Sequence, residues 1–256
     1  MNAFVTLVFG YTVVAILYQS TSNGISAFFG KGVLGLLQAF CFNWLYFEVD
    51  GANLHLHAIR RAKATAFAWS MAHLPFIIAF VLAGGALARL VVATDTSDAR
   101  VEDLTDAYQA RSEPEVRAGI RWFYCAGLGV ALMCMGLISL SHVHNEIEGL
   151  RLQKSYRLVG RFGVAIILIC LPLASDRLDS LELVGTVTAL IVLVLGSELY
   201  AGGSCHEKLL QRSKPCQYFG QCGKREMEAL VRHGREVNVD ELADERAKRS
   251  GITISL

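Results

Sequence analysis

The sequence predicts an all-α, polytopic membrane protein with about six transmembrane helices and a small cytoplasmic helical tail. Three observations lead there. Hydrophobic residues make up 53% of the 256 residues and charged residues 18%, with a mean hydropathy of +0.40. The apolar residues gather into six blocks, roughly 2–18, 25–47, 66–93, 120–142, 158–175 and 183–202, each near the ~20 residues a helix needs to cross the hydrocarbon core. The polar connections between the blocks alternate between basic and base-poor, as short loops on opposite sides of a membrane do.

The first block starts almost at Met1 with no basic segment ahead of it, so it reads as a true span rather than a cleaved signal. The second block ends at Glu48 and Asp50 and leads into a connection bearing His55, His57, Arg60, Arg61 and Lys63. The third contains His73 about seven residues in, or ~10 Å deep at the helical rise. Leu74-Pro75 follows at once; Pro75 has no backbone donor, which frees the carbonyl near position 71 and predicts a kink. In the acidic connection 94–118, Val101, Leu104 and Tyr108 recur at helical spacing behind an Asp/Ser/Thr cluster, predicting a short amphipathic helix on the non-cytoplasmic surface.

The fourth block exits at His142, His144, Glu146 and Glu148. The fifth is the weakest, with only fourteen uncharged residues between Arg161 and Asp176 and Pro172 among them. Arg161 is expected to lengthen it by snorkelling to the headgroups. The sixth carries Glu198 in its last turns. Gly84-Gly85-Ala86 and Gly127-x-Gly129 are expected at close helix contacts.

Arg60, Arg61 and Lys63, then Arg151, Lys154, Arg157 and Arg161, then Lys208, Arg212 and Lys214 mark one side of the membrane. The opposite side has Lys31, Arg177 and a long connection in which Arg100, Arg111 and Arg117 stand among seven acids. Six spans with both termini cytoplasmic satisfy this pattern. The domain division is a bundle over 1–202 and a cytoplasmic helical tail over 203–256, with helical candidates around Met227–Val231 and from Asp240 to Gly251. Of seven cysteines, Cys41, Cys125, Cys134 and Cys170 lie in apolar blocks and Cys205, Cys216 and Cys222 in the tail, which the topology places in a reducing compartment and whose spacing lacks the short knuckle of a zinc site, so neither a disulfide framework nor zinc is expected.

Topology groups the ionisable residues by side without further information. Glu48, Asp50, His57, His73 and Glu198 fall on one side and are the candidates for ion or proton handling. Each has a plainer reading: an interfacial carboxylate solvated at a span end, or a neutral histidine bonded to a neighbouring helix. Arg60 and Arg61 are assigned to orientation and lipid phosphate. A metal reading of His142-x-His144-x-Glu146 is disfavoured, because alternate residues on a helix point about 200° apart, and the same objection holds for His55/His57 unless that stretch is extended. No metal or other cofactor is expected, and no nucleotide loop, nucleophile elbow or nucleic-acid patch is present.

The run YFEVD…HAIRR…W…HLPFIIAFVLAGGAL, Tyr46 to Leu87, resembles the low temperature requirement A family of polytopic membrane proteins, in particular its fungal branch. Gly196–Tyr200 and the cysteine-bearing tail share that likeness. Members of the family usually open on an acidic-aromatic motif and have several more spans, so this chain looks like a C-terminal half. The resemblance implies no reaction, substrate or catalytic residue. The functional expectation is therefore a non-catalytic role in membrane adaptation, or permeation of a small ion or solute; a membrane-embedded metal-dependent enzyme is the alternative. The expected partners are the lipid bilayer and either a second copy or a missing N-terminal half, with no nucleic acid.

Overall fold

The structure is a computed structural model that describes residues 5, 6, 8, 10, 11, 13, 14, 26–49, 54–56, 58–144 and 154–202. Helix α1, Ala27–Trp44, is opened by Ser26, whose hydroxyl accepts the Phe29 N–H at 3.4 Å. It continues as a π-helical turn, Leu45–Val49. A short strand β1, Leu54–Leu56, and a single turn α2, Ala58–Arg61, lead into α3, Lys63–Val91. At the start of α3, Thr65 accepts the Ala62 N–H at 3.1 Å and donates to the Ala58 carbonyl at 2.9 Å, fastening α2 to it. Then come α4, Asp106–Gln109, α5, Ala118–Ser141, β2, Val143–His144, α6, Lys154–Cys170, a 3-10 segment Leu171–Arg177, and α7, Ser180–Gly202.

Five stretches are long and apolar enough to cross a membrane: Ala27–Phe47, Lys63–Val91, Ala118–Ser141, Ser155–Ala174 and Ser180–Ala201. They match the last five apolar blocks. The first block lies outside the described residues except at seven positions, all helical, of which Val5 and Val8 join the main core. The expected cytoplasmic tail lies outside the described residues, as does all of the second of the chain's two units, Glu207–Leu256.

The bundle is apolar on its outer face as well as in its core, unlike a water-soluble fold. Phe67, Leu74 and Ile78 on α3 and Leu193 on α7 are more than half exposed. In a bilayer that outward face costs nothing, since acyl chains are as apolar as leucine. Its centre holds Phe42, Phe76, Tyr124, Leu132, Met135 and Leu168, together with buried Lys31, Gln38, His73, Arg121, Arg161 and Glu198.

Helix α5 lies between α3 and α6, while α1 packs chiefly on α7 and α6 also meets α7. The α5 contacts rest on absent side chains. A Cβ on Gly127 would stand 2.9 Å from the Ala79 carbonyl oxygen of α3, and one on Gly129 would stand 2.7 Å from the Ala165 carbonyl oxygen of α6. Gly136 faces the Phe162 ring, 2.8 Å from where its Cβ would be. Gly127-x-Gly129 thus fills its expected role, whereas Gly85 faces open space.

Three local expectations are corrected. The acidic connection is not one amphipathic helix: a 3-10 turn, Val101–Asp103, and α4 are separated by Leu104 in an extended conformation. Leu104 is buried against Phe28 and Val92, and inserting it there takes the backbone out of the helix in a stretch whose Ser, Thr and Asp residues resist helix. Beyond α5 the chain is extended, and β2 pairs antiparallel with β1, Leu54 opposite His144 and Leu56 opposite Val143. The helical objection to His-x-His therefore does not hold at 143–144 or 54–56, although the His55 and His144 side chains and all of His57 lie outside what is described. Arg161 does not snorkel; it is buried and ion-paired.

Candidate functional site

The helix termini define two ends of the bundle. One gathers the C-termini of α1, α5 and α7 with the N-termini of α3 and α6, as the β1–β2 ladder and the Arg161–Glu198 pair require. The other gathers the opposite termini, joined by Lys31 to Ala93 and Ser180.

At the first end, His73 is fully buried. Its Nδ1 lies 2.7 Å from the Trp69 carbonyl oxygen one turn back. A carbonyl only accepts, so Nδ1 carries a proton. Nε2 lies 2.9 Å from the Tyr46 hydroxyl, and in the neutral ring it is the acceptor there. The imidazole is thus held by its own helix on one side and by the end of α1 on the other. Tyr46 reaches it from the π-helical turn, and its ring stacks on Phe76 at 5.8 Å and 6°. Trp69 lies against His73 at 4.3 Å and is edge-on to His142 at 6.5 Å. His142 Nδ1 accepts the Ala58 N–H at 3.1 Å, which ties the exit of α5 to the start of α2.

Glu198 sits elsewhere at the same end. Its Oε1 accepts from Arg161 Nη2 at 2.8 Å and Nε at 3.2 Å, while Oε2 faces Arg157 Nη1 at 3.2 Å. Arg157 and Arg161 are one turn apart on α6 and so share a face. Both Glu198 oxygens are taken up by guanidinium groups. The π-helical turn includes the Glu48 backbone, but the Glu48 side chain, Asp50 and His57 lie outside the described residues. Arg60 and Arg61 belong to α2, and their side chains likewise lie outside.

Two further polar clusters were not singled out in the sequence. Near mid-depth, the Gln38 amide Nε2 donates to the Tyr124 and Thr188 hydroxyls, each at 2.7 Å, joining α1 to α5 and α7. At the far end Lys31 Nζ donates to the Ala93 carbonyl at 2.6 Å and the Ser180 hydroxyl at 3.1 Å. Asp95 accepts from the Ser180 N–H at 2.8 Å and from its hydroxyl, capping α7 from a residue 85 positions earlier. Arg121 Nη1 donates to the Leu178 carbonyl at 2.7 Å. The available signal was spacing: Lys31, Gln38 and Tyr46 recur seven and eight residues apart, which puts them on one face of a helix at depths ~10–12 Å apart.

Among the described residues no three His, Cys, Asp or Glu side chains converge as a metal site. Neither the curated proteins nor the solved structures contain a match to this sequence. A family match does exist, to the bacterial low temperature requirement A proteins, and it covers residues 1–196, most of the bundle just described. A several-span helical bundle with a buried histidine and a match of that length lead to one assignment: the chain belongs to the low temperature requirement A family.

Proposed function

We propose that this protein is a non-catalytic, multi-pass membrane protein that passes protons or another small ion, held closed in the arrangement described. The observation that supports this reading is the series of buried polar clusters at three depths along α1: Tyr46 with His73, Gln38 with Tyr124 and Thr188, and Lys31 with Ser180. Intramembrane ionisable groups are costly and mark ion or proton pathways in many membrane proteins. His73 is the titrating group in this reading, because imidazole changes charge near neutral pH and Tyr46 offers it a proton-exchange partner. Glu48, Asp50 and His57 would form the mouth; Glu198 acts there as a clamp on α6, and Arg60 and Arg61 meet lipid phosphate. The charge distribution supports an orientation with both termini cytoplasmic and the His73 end facing the cytoplasm.

A second reading has its own observation. The bonds at all three depths also fasten helices together, and interhelical hydrogen bonds do this in proteins that move nothing. In that reading the protein serves membrane adaptation or assembly, alone or with a second copy of itself.

Reconstitution separates the two. Full-length protein in liposomes loaded with a pH-sensitive dye, with valinomycin and a potassium gradient as driving force, should acidify faster than empty liposomes. His73→Ala should reduce that rate by about tenfold or more, as loss of a required proton carrier does. Parent flux equal to that of empty liposomes under both proton and sodium gradients would sink the permeation reading and leave the second.

A further inference from the structure

We propose that Lys31, Ser180 and Asp95 form a proton relay, through which a buried amine exchanges its proton with the solution at the end of the bundle remote from His73. Lys31 is fully buried. Its ammonium group meets the Ala93 carbonyl at 2.6 Å, the Ser180 hydroxyl at 3.1 Å and the Phe28 ring at 5.1 Å. Each of these is neutral. Glu198 at the other end touches two guanidinium groups directly, whereas Lys31, among the described residues, has its counter-charge one hydroxyl away. That charge is Asp95, which is partly exposed and acts on Lys31 electrostatically. On the elements nearby, Arg121 of α5 is turned to the Leu178 carbonyl and Glu182 of α7 to the Asp179 N–H.

The hydroxyl between amine and carboxylate has the polarity a relay needs. Ser180 Oγ donates to Asp95 Oδ1, since a carboxylate only accepts, and so offers a lone pair to the ammonium. Asp95 Oδ2 accepts the Ser180 N–H at 2.8 Å, which fixes the carboxylate against the hydroxyl. One concerted step moves two protons. The Lys31 N–H bond breaks as Ser180 Oγ takes its proton, and the Ser180 O–H bond breaks as Asp95 Oδ1 takes the other. The products are an amine, a hydroxyl and a carboxylic acid, all neutral and joined by the same two hydrogen bonds running the opposite way. Desolvation opposes separated charges and does not oppose this neutral set. Asp95 then gives its proton to the solution, and the reverse sequence reloads Lys31. The relay goes beyond the permeation reading and does not rest on it, because exchange at one end needs no passage through the bundle.

Hydrogen–deuterium exchange at Lys31 Nζ tests this on the full chain in proteoliposomes. Solid-state NMR reads it from the isotope shift on Lys31 Cε, a signal assigned by its loss in Lys31→Met. Ser180→Ala removes the hydroxyl and leaves both ends of the relay; it should slow exchange by about tenfold or more. Ser180→Thr restores a hydroxyl and should bring the rate back to within a few-fold of the parent. Asp95→Asn keeps an oxygen to accept from Ser180, but an amide takes up no proton, so exchange should slow there too. A hydroxyl that only fastens α1 to α7 predicts the opposite sign, since losing it loosens the bundle and speeds exchange. Unchanged or faster exchange in Ser180→Ala overturns the relay, as does Asp95→Asn exchanging at the parent rate.

Discussion

The α3–α5–α6 layer and the α1–α7 seam belong to one bundle and are held by opposite means. In the layer, Gly127 and Gly129 let backbones approach until a Cβ would fall 2.9 Å and 2.7 Å from a neighbouring carbonyl. In the seam, Lys31 and Gln38 reach across from α1 to Ser180 and Thr188. Lipid removes the hydrophobic drive for helices to associate, since acyl chains solvate leucine as well as a protein core does. What remains is close packing and hydrogen bonding. The layer uses the first and the seam the second. The difference teaches that small residues join spans that follow one another in sequence here, while polar residues join the span beginning at Ala27 to the one beginning at Ser180.

The largest break is expected where the two regions meet, on α6, which packs Ala165 against α5 and turns Arg157 and Arg161 toward α7. Glu198→Gln leaves a buried guanidinium without its counter-charge and should destabilise by ~3–5 kcal/mol. Unfolding in mixed micelles measures this, and an Arg161→Met/Glu198→Leu pair should recover most of the loss; a Glu198→Gln protein as stable as the parent would mean the pair carries no net charge cost. Next comes the layer itself. Gly129→Val forces α5 and α6 apart and should cost ~1–3 kcal/mol or more, seen as a lower Tm and a broadened monomer peak, while Gly85→Ala, whose Cβ meets nothing, should leave Tm unchanged or slightly raised.

The seam should respond less steeply, because each bond is one of several. Gln38→Leu strands the Tyr124 hydroxyl and should cost ~1–3 kcal/mol; if it is neutral, the seam is held by packing and the contrast with the layer disappears. The smallest expected effect is Tyr46→Phe, which removes one hydrogen bond from His73 and should cost ~0.5–1.5 kcal/mol. In liposomes it should also slow any proton flux without abolishing it, and a flux identical to the parent's would remove Tyr46 from the pathway.

The sequence revealed the helices because each must bury an unbroken run of backbone in hydrocarbon, and five apolar blocks agree with the observed spans to within about three residues. His73 and Glu198 also stood out, since an ionisable residue inside an apolar run is conspicuous whatever its partner. Their partners were not legible. Arg157 and Arg161 precede Glu198 by 41 and 37 residues, and nothing local says that α6 and α7 turn those faces together. In the sequence Lys31 looks like part of a connection, because charge at a span edge usually faces water; its burial depends on Ser180 and Ala93, elements that only tertiary contact supplies. Gln38 attracted no notice, being uncharged, yet it ties together three helices. Leu104 follows helical periodicity while its burial against Phe28 and Val92 pulls the backbone extended, and β2 is set by pairing with β1, which no local pattern announces.

The seam has a consequence for the order of events at the ribosome. Lys31 and Gln38 find their α7 partners 149 and 150 residues further along the chain. At about 5–20 residues per second of synthesis, that interval is on the order of 10 s. Through it α1 carries an ammonium group and an amide that can meet Ala93 and Tyr124 but not yet their acceptors on α7. The layer has no such delay, for α3, α5 and α6 emerge in succession and can zip together as they appear. Birth order therefore leaves α1 short of its α7 partners until the span beginning at Ser180 has been made, whereas each helix of the layer meets its neighbour as soon as that neighbour emerges.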